Sequence, residues 1–324
     1  MSNLLEVRDL HVQFRIDEKY YSAVKGIDFA IEEGKTLGLV GESGCGKSVT
    51  SLAVMRLLQP PTKILGTATF RGKDLLKATE KEMQDIRGND ISMIFQEPMT
   101  SLNPVHRIGR QIGESLVLHK GMSEKQARSE AIGLLQQVGI PRATQIVDEY
   151  PHQLSGGMRQ RVMIAIAIAC NPQMLIADEP TTALDVTIQA QILDLMRKLA
   201  KERNMATLLI THDLGVVAEM CDRVAVMYAG HIVEQGPVRK IFKNPQHPYT
   251  IGLMNSLPKI VGTKERLHPI HGNVPSLRNM PQGCRFRPRC PHAMDACAAN
   301  PDFFKIEDDH ESRCWLHADL KEAK

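Results

Sequence analysis

The amino-acid sequence predicts an α/β fold built on a mainly parallel sheet, and three observations lead to this prediction. Short apolar segments of strand length alternate with longer segments of helical periodicity through residues 1–235. A glycine-rich loop at residues 41–48 stands between a predicted strand and a predicted helix. A further apolar strand, 174–177, ends in the carboxylates Asp178 and Glu179. Strands that alternate with helices form a parallel sheet whose faces the helices cover.

The predicted elements follow one another regularly along this part of the chain. Strand patterns are bounded by charged or glycine positions, and helical patterns place apolar residues three and four apart. The helix pattern that begins at Ser48 is stopped by Pro60 and Pro61. The predicted strands are 4–7, 23–31, 36–40, 91–95, 174–177 and 207–210, and the predicted helices are 48–58, 127–138, 158–170 and 186–201.

Two changes in sequence character indicate the domain organisation. Helical periodicity dominates residues 97–157, so we expect an inserted helical subdomain there. From Gly236 onward the periodicity gives way to sequence interrupted by prolines. A chain of 324 residues is long enough for one large domain with an appendage. We therefore expect a domain over 1–235 and a C-terminal extension over 236–324.

Composition and charge exclude several classes of protein. The formal charge of +3 is too small to imply a nucleic-acid partner, and an aromatic content of 4% does not favour a surface for single-stranded nucleic acid. No apolar run approaches the length of about 18 residues that a membrane-spanning helix needs. Charged residues at Glu6, Arg8 and Asp9 interrupt the start of the chain, where an export signal would be apolar. We expect a cytoplasmic chain that binds no nucleic acid.

The glycine-rich loop fits the G-x-x-x-x-G-K-[ST] pattern of a phosphate-binding loop, in the strand–loop–helix context that this pattern requires. Its glycines allow backbone N–H groups to turn toward phosphates, and the following helix adds its positive end. Lys47 is expected to contact the β- and γ-phosphates, and the Ser48 hydroxyl to ligate Mg²⁺. We interpret Cys45 as a small filler rather than a redox group. The expected nucleotide-binding residues of this segment are Gly41, Ser43, Gly44, Cys45, Gly46, Lys47, Ser48 and Val49.

The carboxylates that end the strand 174–177 supply the second chemical motif. Asp178 is expected at the carboxyl edge of the sheet, where ligands bind in doubly wound folds. An acid at this edge can hold Mg²⁺, and the adjacent Glu179 can polarise the attacking water. Together with the phosphate-binding loop, this motif indicates a nucleoside triphosphatase.

A third motif distinguishes among the nucleoside triphosphatases. Residues 154–158, Leu-Ser-Gly-Gly-Met, precede a predicted buried helix and closely resemble the signature motif of ATP-binding-cassette (ABC) ATPases. In that family Ser155, Gly156 and Gly157 would face phosphate from a helix N-terminus. The resemblance implies a RecA-like P-loop core with an antiparallel β subdomain near the N-terminus and a helical insertion. A small-molecule P-loop kinase would not explain this motif.

Further landmarks occur in the order of the ABC family. Gln96 resembles the glutamine of the Q-loop, Asp185 ends a segment similar to the D-loop, and His212 resembles the switch histidine. The resemblance implies catalytic roles for Glu179, His212 and Gln96, and a nucleotide-binding role for Asp185. The residues that it implies for Mg²⁺ are Ser48, Gln96 and Asp178.

The aromatic residue that stacks on adenine has more than one candidate. Phe14 stands where the ABC family places this aromatic side chain. Tyr20 and Tyr21 compete for the same role. The sequence leaves the choice among the three open.

Two segments and a tetrapeptide narrow the resemblance to one subfamily. Residues 96–104 and 178–187 are similar to oligopeptide, dipeptide and nickel importer ATPases, and residues 247–250 resemble the extension of that subfamily. This implies an ATPase that powers import of di- and oligopeptides, peripheral at the cytoplasmic face of the cell membrane. The implied partners are a second ABC ATPase subunit, a paralogue by resemblance to the dipeptide systems, two integral membrane permease subunits and an extracytoplasmic substrate-binding protein.

Alternatives of two kinds remain open for this function. The cargo of the importer is a peptide, or instead nickel or a metal chelate. The chain is a transporter subunit, or instead a soluble ABC ATPase that acts on ribosomes or DNA. The latter proteins commonly carry two cassettes or a coiled-coil insertion, and this sequence shows one cassette and neither feature.

Four of the seven cysteines are gathered after residue 283 in the pattern C-x₅-C-x₆-C-x₁₆-C. Four thiolates can bind Zn²⁺ tetrahedrally or hold an iron–sulfur cluster. Zinc is the alternative, because the paired C-x₂₋₄-C spacing of structural zinc sites is absent. Peptide-importer ATPases with this cysteine pattern carry a [4Fe–4S] cluster, so the resemblance implies one here. Its ligands would be Cys284, Cys290, Cys297 and Cys314.

Arginines are interleaved with these cysteines at positions 285, 287 and 289. They are expected to offset the negative charge of a cluster, or else to form a solvated basic loop or a phosphate-binding patch. Because the extension has many prolines and few periodic apolar residues, burial alone should not order it. We expect the metal group to order the extension and to leave the ATP chemistry to residues far away.

Overall fold

The computed structural model of the chain describes residues 3–96, 101–182, 184–256 and 269–321. The strands are β1 (Asn3–Ile16), β2 (Lys19–Glu32), β3 (Thr36–Val40), β4 (Thr62–Phe70), β5 (Lys73–Asp74), β6 (Ile91–Ile94), β7 (Met174–Asp178), β8 (Ala206–Thr211), β9 (Arg223–Tyr228), β10 (His231–Pro237), β11 (Phe304–Glu307) and β12 (His310–Ser312). The α-helices are α1 (Lys47–Val54), α2 (Glu80–Ile86), α3 (Ile108–Lys120), α4 (Glu124–Gln137), α5 (Ala143–Ile146), α6 (Gly156–Ile168), α7 (Val186–Glu202), α8 (Leu214–Met220), α9 (Val238–Lys243) and α10 (Pro248–Asn255).

The described residues divide into two compact units, each assembled from separate stretches of the chain. The first unit comprises residues up to 4, 31–36 and 77–210, and the second comprises 5–30, 37–76 and 211 onward. None of the helices in the described ranges is both long and apolar enough to cross a membrane.

The first unit contains three parallel strands in the order β8-β7-β6. Ile91 of β6 lies opposite Met174 of β7, which in turn lies opposite Ala206 of β8. Every residue of β7 and β8 is buried, as expected for parallel strands whose faces are both covered. The predicted parallel α/β core is confirmed in this unit.

The helical insertion also lies in the first unit. Helices α3 and α4 pack against each other, and both pack against α6. Helix α4 begins earlier than its predicted start, because Ser123 and Gln126 form a reciprocal capping box at its N-terminus. The first residues of the predicted insertion, 97–100, lie outside the described residues.

The second unit contains two groups of paired strands. One is the predicted antiparallel subdomain, a four-stranded sheet in the order β2-β1-β4-β5. The other has the order β11-β12-β10-β9-β3, in which β3 and β9 are parallel and the remaining pairs are antiparallel. The sequence did not predict strands β4, β5, β9 and β10, nor β11 and β12. Segments of four and three residues, as in β11 and β12, are too short to show a periodicity.

A buried polar pair joins the last strands to this sheet. His310 Nε2 lies 2.8 Å from Glu234 Oε1, and both side chains are fully buried. The same carboxylate accepts hydrogen bonds from the backbone N–H groups of Gln246 and His247 at 2.8 and 2.9 Å. Residues after the expected boundary at 235/236 are therefore connected to β10 by both backbone and side-chain hydrogen bonds.

Helix α1 is shorter than the sequence predicts. It ends at Val54 rather than at residue 58, before it reaches the two prolines. Arg56 adopts the left-handed conformation with φ 53°, which a continuing right-handed helix cannot accommodate.

Candidate functional site

The predicted phosphate-binding loop connects β3 to α1 in the second unit. A Cβ atom on Gly41 would overlap the carbonyl oxygen of Met227, so only glycine fits at this position. Gly46 takes φ +107° and caps α1 without a side-chain hydrogen bond. The Gly46 N-cap thus offers no side-chain acceptor to the first backbone N–H groups of α1, an arrangement typical of anion-binding helix termini.

Lys47 is held against the loop that precedes it. Its side chain is buried, and Nζ donates hydrogen bonds to the carbonyl oxygens of Gly41 at 2.8 Å and Glu42 at 3.1 Å. Cys45 is also buried, and burial raises the pKa of its thiol although Lys47 lies close by. A neutral buried thiol packs as a small apolar residue, in keeping with a filler role.

Glu42 contacts the C-terminal part of the chain through both its backbone and its side chain. Its backbone N–H donates to the Tyr249 hydroxyl at 2.9 Å. Its carboxylate accepts two parallel hydrogen bonds from Arg289, Nη1 to Oε2 at 2.7 Å and Nη2 to Oε1 at 3.0 Å. The extension therefore contacts the phosphate-binding loop, through α10 and through the cysteine-containing segment, residues 284–314.

The three interleaved arginines have different environments. Arg285 is buried and donates to the carbonyl oxygen of Ala229, and burial lowers its pKa to about 10. Arg289 is paired with Glu42, and this hydrogen bond raises the pKa of the guanidinium. Arg287 alone of the three is exposed, so the solvated-loop alternative fits only this residue.

In the first unit the structure brings together two predicted catalytic residues, Gln96 and Glu179. Gln96 Nε2 donates to Glu179 Oε2 at 3.3 Å, and the hydroxyl of Thr182 donates to the same oxygen at 2.9 Å. Glu179 has φ 46°, and its backbone N–H donates to the carbonyl of Ile210 at 2.9 Å. Asp178, the last residue of β7, is buried. The sequence did not indicate a role for Thr182. Thr182 lies in a turn, in which its N–H donates to the carbonyl of Glu179.

The signature motif lies at the exposed N-terminus of α6 in the first unit. Ser155 caps this helix by accepting a hydrogen bond from the Met158 N–H at 3.3 Å. Ser155 and Gly156 are both exposed, whereas a Cβ on Gly157 would lie 3.0 Å from Ile188. Asp185 caps α7 in the same way, accepting from the Ile188 N–H at 2.9 Å. The motif thus presents a capped helix N-terminus to its surroundings.

His212 and the candidate adenine-stacking residues lie in the second unit, with the phosphate-binding loop. His212 is exposed just after β8, and Asp213 beside it caps α8. Phe14 is half-buried on β1, opposite Thr62 of β4. Tyr20 has the ammonium of Lys63 3.8 Å above its ring centre.

The four C-terminal cysteines are free thiols in the second unit. The backbone N–H of Cys284 donates to the carbonyl of Cys297 at 3.0 Å. Burial, together with the nearby Cys284, Cys290 and Cys297, raises the pKa of Cys314 to about 11. Yet in the described part of the chain no group of three or more histidine, cysteine, aspartate or glutamate side chains is arranged to hold a metal ion. The cluster and zinc hypotheses both stay predictions.

Comparison with known families gives two matches. Residues 24–182 match the family described as ABC transporter, and residues 233–297 match the C-terminal region of oligopeptide/dipeptide transporters. The chain is 56% identical over 320 residues to the oligopeptide transport ATP-binding protein AppD of Bacillus subtilis, with 98% of each chain covered. It is 52% identical over 298 residues to OppD of Salmonella typhimurium, covering 92% of this chain and 89% of that one. It is 51% identical over 319 residues to the dipeptide transport ATP-binding protein DppD of Bacillus subtilis, covering 98% and 95%.

Comparison with solved structures gives a fold match. The dimeric ATP-binding cassette MJ0796, in a post-hydrolysis state bound to ADP and Pi, superposes with a TM-score of 0.65 at 27% identity. The match covers 72% of this chain and 99% of that one.

Proposed function

The chain belongs to the family of ABC-transporter ATP-binding proteins that includes oligopeptide and dipeptide transport subunits, and on this premise we propose that it hydrolyses ATP to power the import of di- and oligopeptides. The observation that carries the proposal is the phosphate-binding loop, in which the ammonium of the buried Lys47 lies on two loop carbonyls beside the N-terminus of α1. The relatives whose names state transport of oligopeptides or dipeptides match nearly the whole chain.

The loop would bind the triphosphate by charge and by backbone donors. Lys47 supplies a full positive charge, and α1 supplies the partial positive charge of a helix N-terminus. Ser48, Asp178 and Gln96 would hold Mg²⁺, which would supply positive charge to the phosphates. Phe14, or Tyr21 or Tyr20 in its place, would stack on adenine.

Glu179 would act as the general base that polarises the attacking water. The amide of Gln96 and the hydroxyl of Thr182 both donate to one of its oxygens and so restrict the orientation of the carboxylate. His212 would be the second catalytic side chain, as the resemblance to the switch histidine implies. Because Gln96 contacts the base and precedes the helical insertion, movement of the insertion would alter the base directly.

The signature residues would complete the ATP site of a second ABC ATPase subunit. Ser155 and Gly156 are exposed at a capped helix N-terminus, so a phosphate of another chain can approach them. Asp185, exposed at the start of α7, would lie at the same contact. The dimer of the structurally similar cassette supports this arrangement. We favour a paralogue as the partner.

Transport requires membrane partners, and we propose two integral permease subunits and an extracytoplasmic substrate-binding protein. The chain would be peripheral at the cytoplasmic face of the cell membrane. Affinity purification of the tagged chain from detergent-solubilised membranes should recover two integral proteins and a second ATPase. Recovery with ribosomes and without integral proteins would instead support the soluble ABC ATPase alternative.

The cargo is tested by uptake in cells that lack this chain. Wild-type chain should restore uptake of a labelled tripeptide, and the Glu179→Gln variant, expressed at the same level, should not. Labelled Ni²⁺ is measured in parallel with the same two variants. Restoration of nickel uptake without peptide uptake would support the metal-importer alternative.

We also propose the domain limits that the sequence indicates, with the ABC ATPase domain over 1–235, its helical subdomain over 97–157 and the extension over 236–324. The separate family matches at 24–182 and 233–297 support a division of this kind.

For the extension we propose a [4Fe–4S] cluster on Cys284, Cys290, Cys297 and Cys314, with zinc as the alternative. Its support is the set of four free thiols and the hydrogen bond that joins the backbones of Cys284 and Cys297. Coordination would require these side chains to reorient and to lose their protons, since the described residues contain no preformed metal group. The cluster would cross-link the extension and take no part in ATP hydrolysis.

A further inference from the structure

Arg289 makes more polar contacts than a charge-balancing residue in a basic loop would need. Besides the two hydrogen bonds to Glu42, Nε donates to the carbonyl of His271 at 2.9 Å and Nη2 donates to that of Ile270 at 3.3 Å. Its side chain is 5% exposed, and its guanidinium lies 5.7 Å from the ring centre of Tyr228. The guanidinium is fixed in one orientation, which a lysine ammonium could not reproduce.

Glu42 connects this fixed group to the residue that binds phosphate. The carbonyl oxygen of Glu42 accepts from Lys47 Nζ, and the N–H of Glu42 donates to Tyr249. Residue 42 is therefore held by the C-terminal part of the chain at both its backbone and its side chain. A displacement of Glu42 would remove one of the two carbonyl contacts that position Lys47.

Arg285 supports the same loop from a second direction. It donates to the carbonyl of Ala229, and the next residue, Gly230, donates its N–H to the carbonyl of Cys45 at 2.8 Å. A Cβ on Gly230 would overlap the carbonyl of Ala23, so only glycine fits at this turn. Two arginines of the cysteine-containing segment thus act on the loop, one directly and one through a turn.

The pairing of Glu42 with Arg289 also affects the electrostatic repulsion between the loop and a nucleotide. A carboxylate in a loop that binds triphosphate repels the ligand unless a cation compensates it, and the repulsion grows with the charge of the nucleotide. The bidentate pair with Arg289 provides this compensation at 2.7 and 3.0 Å.

We propose that Arg289 is a positioning residue for nucleotide binding, which holds the phosphate-binding loop in place through Glu42 and neutralises the Glu42 carboxylate. This inference rests on the proposed ATPase function, which it deepens by assigning part of the loop's geometry to the C-terminal extension.

The test compares nucleotide binding by full-length variants in titration calorimetry. Arg289→Ala should weaken ATP binding by about tenfold or more, and should weaken ADP binding less, because ADP carries less negative charge. Adding Glu42→Gln to this variant should restore much of the ATP affinity, since the uncompensated carboxylate is then absent. Arg287→Ala is the matched control, because it removes an exposed arginine two residues away and should change neither affinity.

Hydrogen exchange without nucleotide gives a readout that does not depend on the proposed function. Exchange of the peptide over 41–48 should rise in Arg289→Ala and stay at the wild-type level in Arg287→Ala. If Arg289→Ala does not fold, Arg289→Lys should show a smaller loss of ATP affinity and a smaller rise in exchange over 41–48. Wild-type ATP affinity in the Arg289 variants, or equal losses for ATP and ADP with no rescue by Glu42→Gln, would overturn the proposal. Failure of the wild-type chain to bind ATP would refute the proposed function, and exchange at 41–48 would then decide the role of Arg289.

Discussion

Gln96 donates a hydrogen bond to the carboxylate of Glu179 at 3.3 Å, joining residues that are 83 positions apart in the sequence. The acceptor atom, Oε2, also accepts from Thr182. The orientation of the proposed general base therefore depends on a residue that directly precedes the helical insertion. This relationship connects the chemistry of hydrolysis to the part of the chain expected to move during transport.

The proposed role of Glu179 predicts a separation of binding from turnover. Glu179→Gln keeps the shape of the side chain and removes the charge that polarises water, so ATP should still bind while turnover falls by about 100-fold or more. Lys47→Ala should instead weaken binding itself, because it removes the ammonium beside the loop. Phosphate release and ATP affinity are measured for both variants. Equal losses of affinity in the two would contradict the assigned roles.

The contact between Gln96 and Glu179 predicts an effect on coupling. Gln96→Ala should lower the ATPase activity stimulated by the assembled transporter more than the basal activity. Thr182→Val is the control, because it removes the other donor to Glu179 without changing the Q-loop residue. It should lower both activities by the same factor. A uniform decrease in Gln96→Ala would leave Gln96 as an ordinary ligand.

The exposed signature motif predicts a defect in the partner's ATP site. Ser155→Arg places a long cation at the N-terminus of α6, and it should abolish coupled transport while this chain still binds ATP at Lys47. The control Ser155→Ala removes only the cap, at a cost of about 1 kcal/mol in stability, and should affect transport much less. Transport is measured in the reconstituted complex. Normal transport by Ser155→Arg would refute the arrangement in trans.

The proposed cluster predicts a linked loss of metal and order. Cys290→Ser should lose iron and become more sensitive to protease after about residue 275, as expected when metal–thiolate bonds supply folding energy. Because Arg289 adjoins Cys290, we also expect weaker ATP binding. Cys221→Ser, which changes a cysteine outside the set of four, should keep its iron.

Anaerobically purified wild-type protein should contain iron and acid-labile sulfide in equal amounts. Zinc without sulfide would contradict the cluster and support the zinc site. A well-ordered extension that contains no metal would contradict both hypotheses.

The buried His247 predicts a loss of stability in mild acid. Burial lowers the pKa of His247 to about 4, and its Nδ1 accepts a hydrogen bond from the Tyr249 N–H at 3.0 Å. In the unfolded chain the pKa is about 6.5, so between these values the unfolded state binds more protons than the folded state. This group should therefore lower the free energy of unfolding by about 1.4 kcal/mol per pH unit as the pH falls through that window.

The variant His247→Asn isolates this contribution. Asparagine keeps an oxygen that can cap α10 and removes the titrating ring. Urea unfolding at about pH 7 and about pH 5 should show a smaller acid loss in the variant than in the wild type. Identical losses in the two proteins would show that His247 does not contribute.

The local chemistry of the candidate site was largely predictable from the sequence. The glycines that let residues 41–48 turn, the apolar strand that carries Asp178 and the serine that caps α6 act on neighbouring backbone groups within a few residues. Their structural effects therefore appear as short sequence patterns. The parallel arrangement of β6, β7 and β8 followed from the same alternation of strands and helices.

Tertiary structure alone decided which distant residues meet. Arg289 and Glu42 are separated by 247 positions, and neither belongs to a periodic pattern that would relate them. Strand β12 pairs with β10 and β11 pairs with β12, and the buried contact of His310 with Glu234 joins this hairpin to the sheet. Such contacts depend on the path by which the chain returns to the sheet. By itself the sequence determined that a phosphate-binding loop would form, because the backbone conformation of the loop depends on neighbouring residues. The tertiary structure decided which side chains hold that loop, because those side chains come from distant parts of the chain.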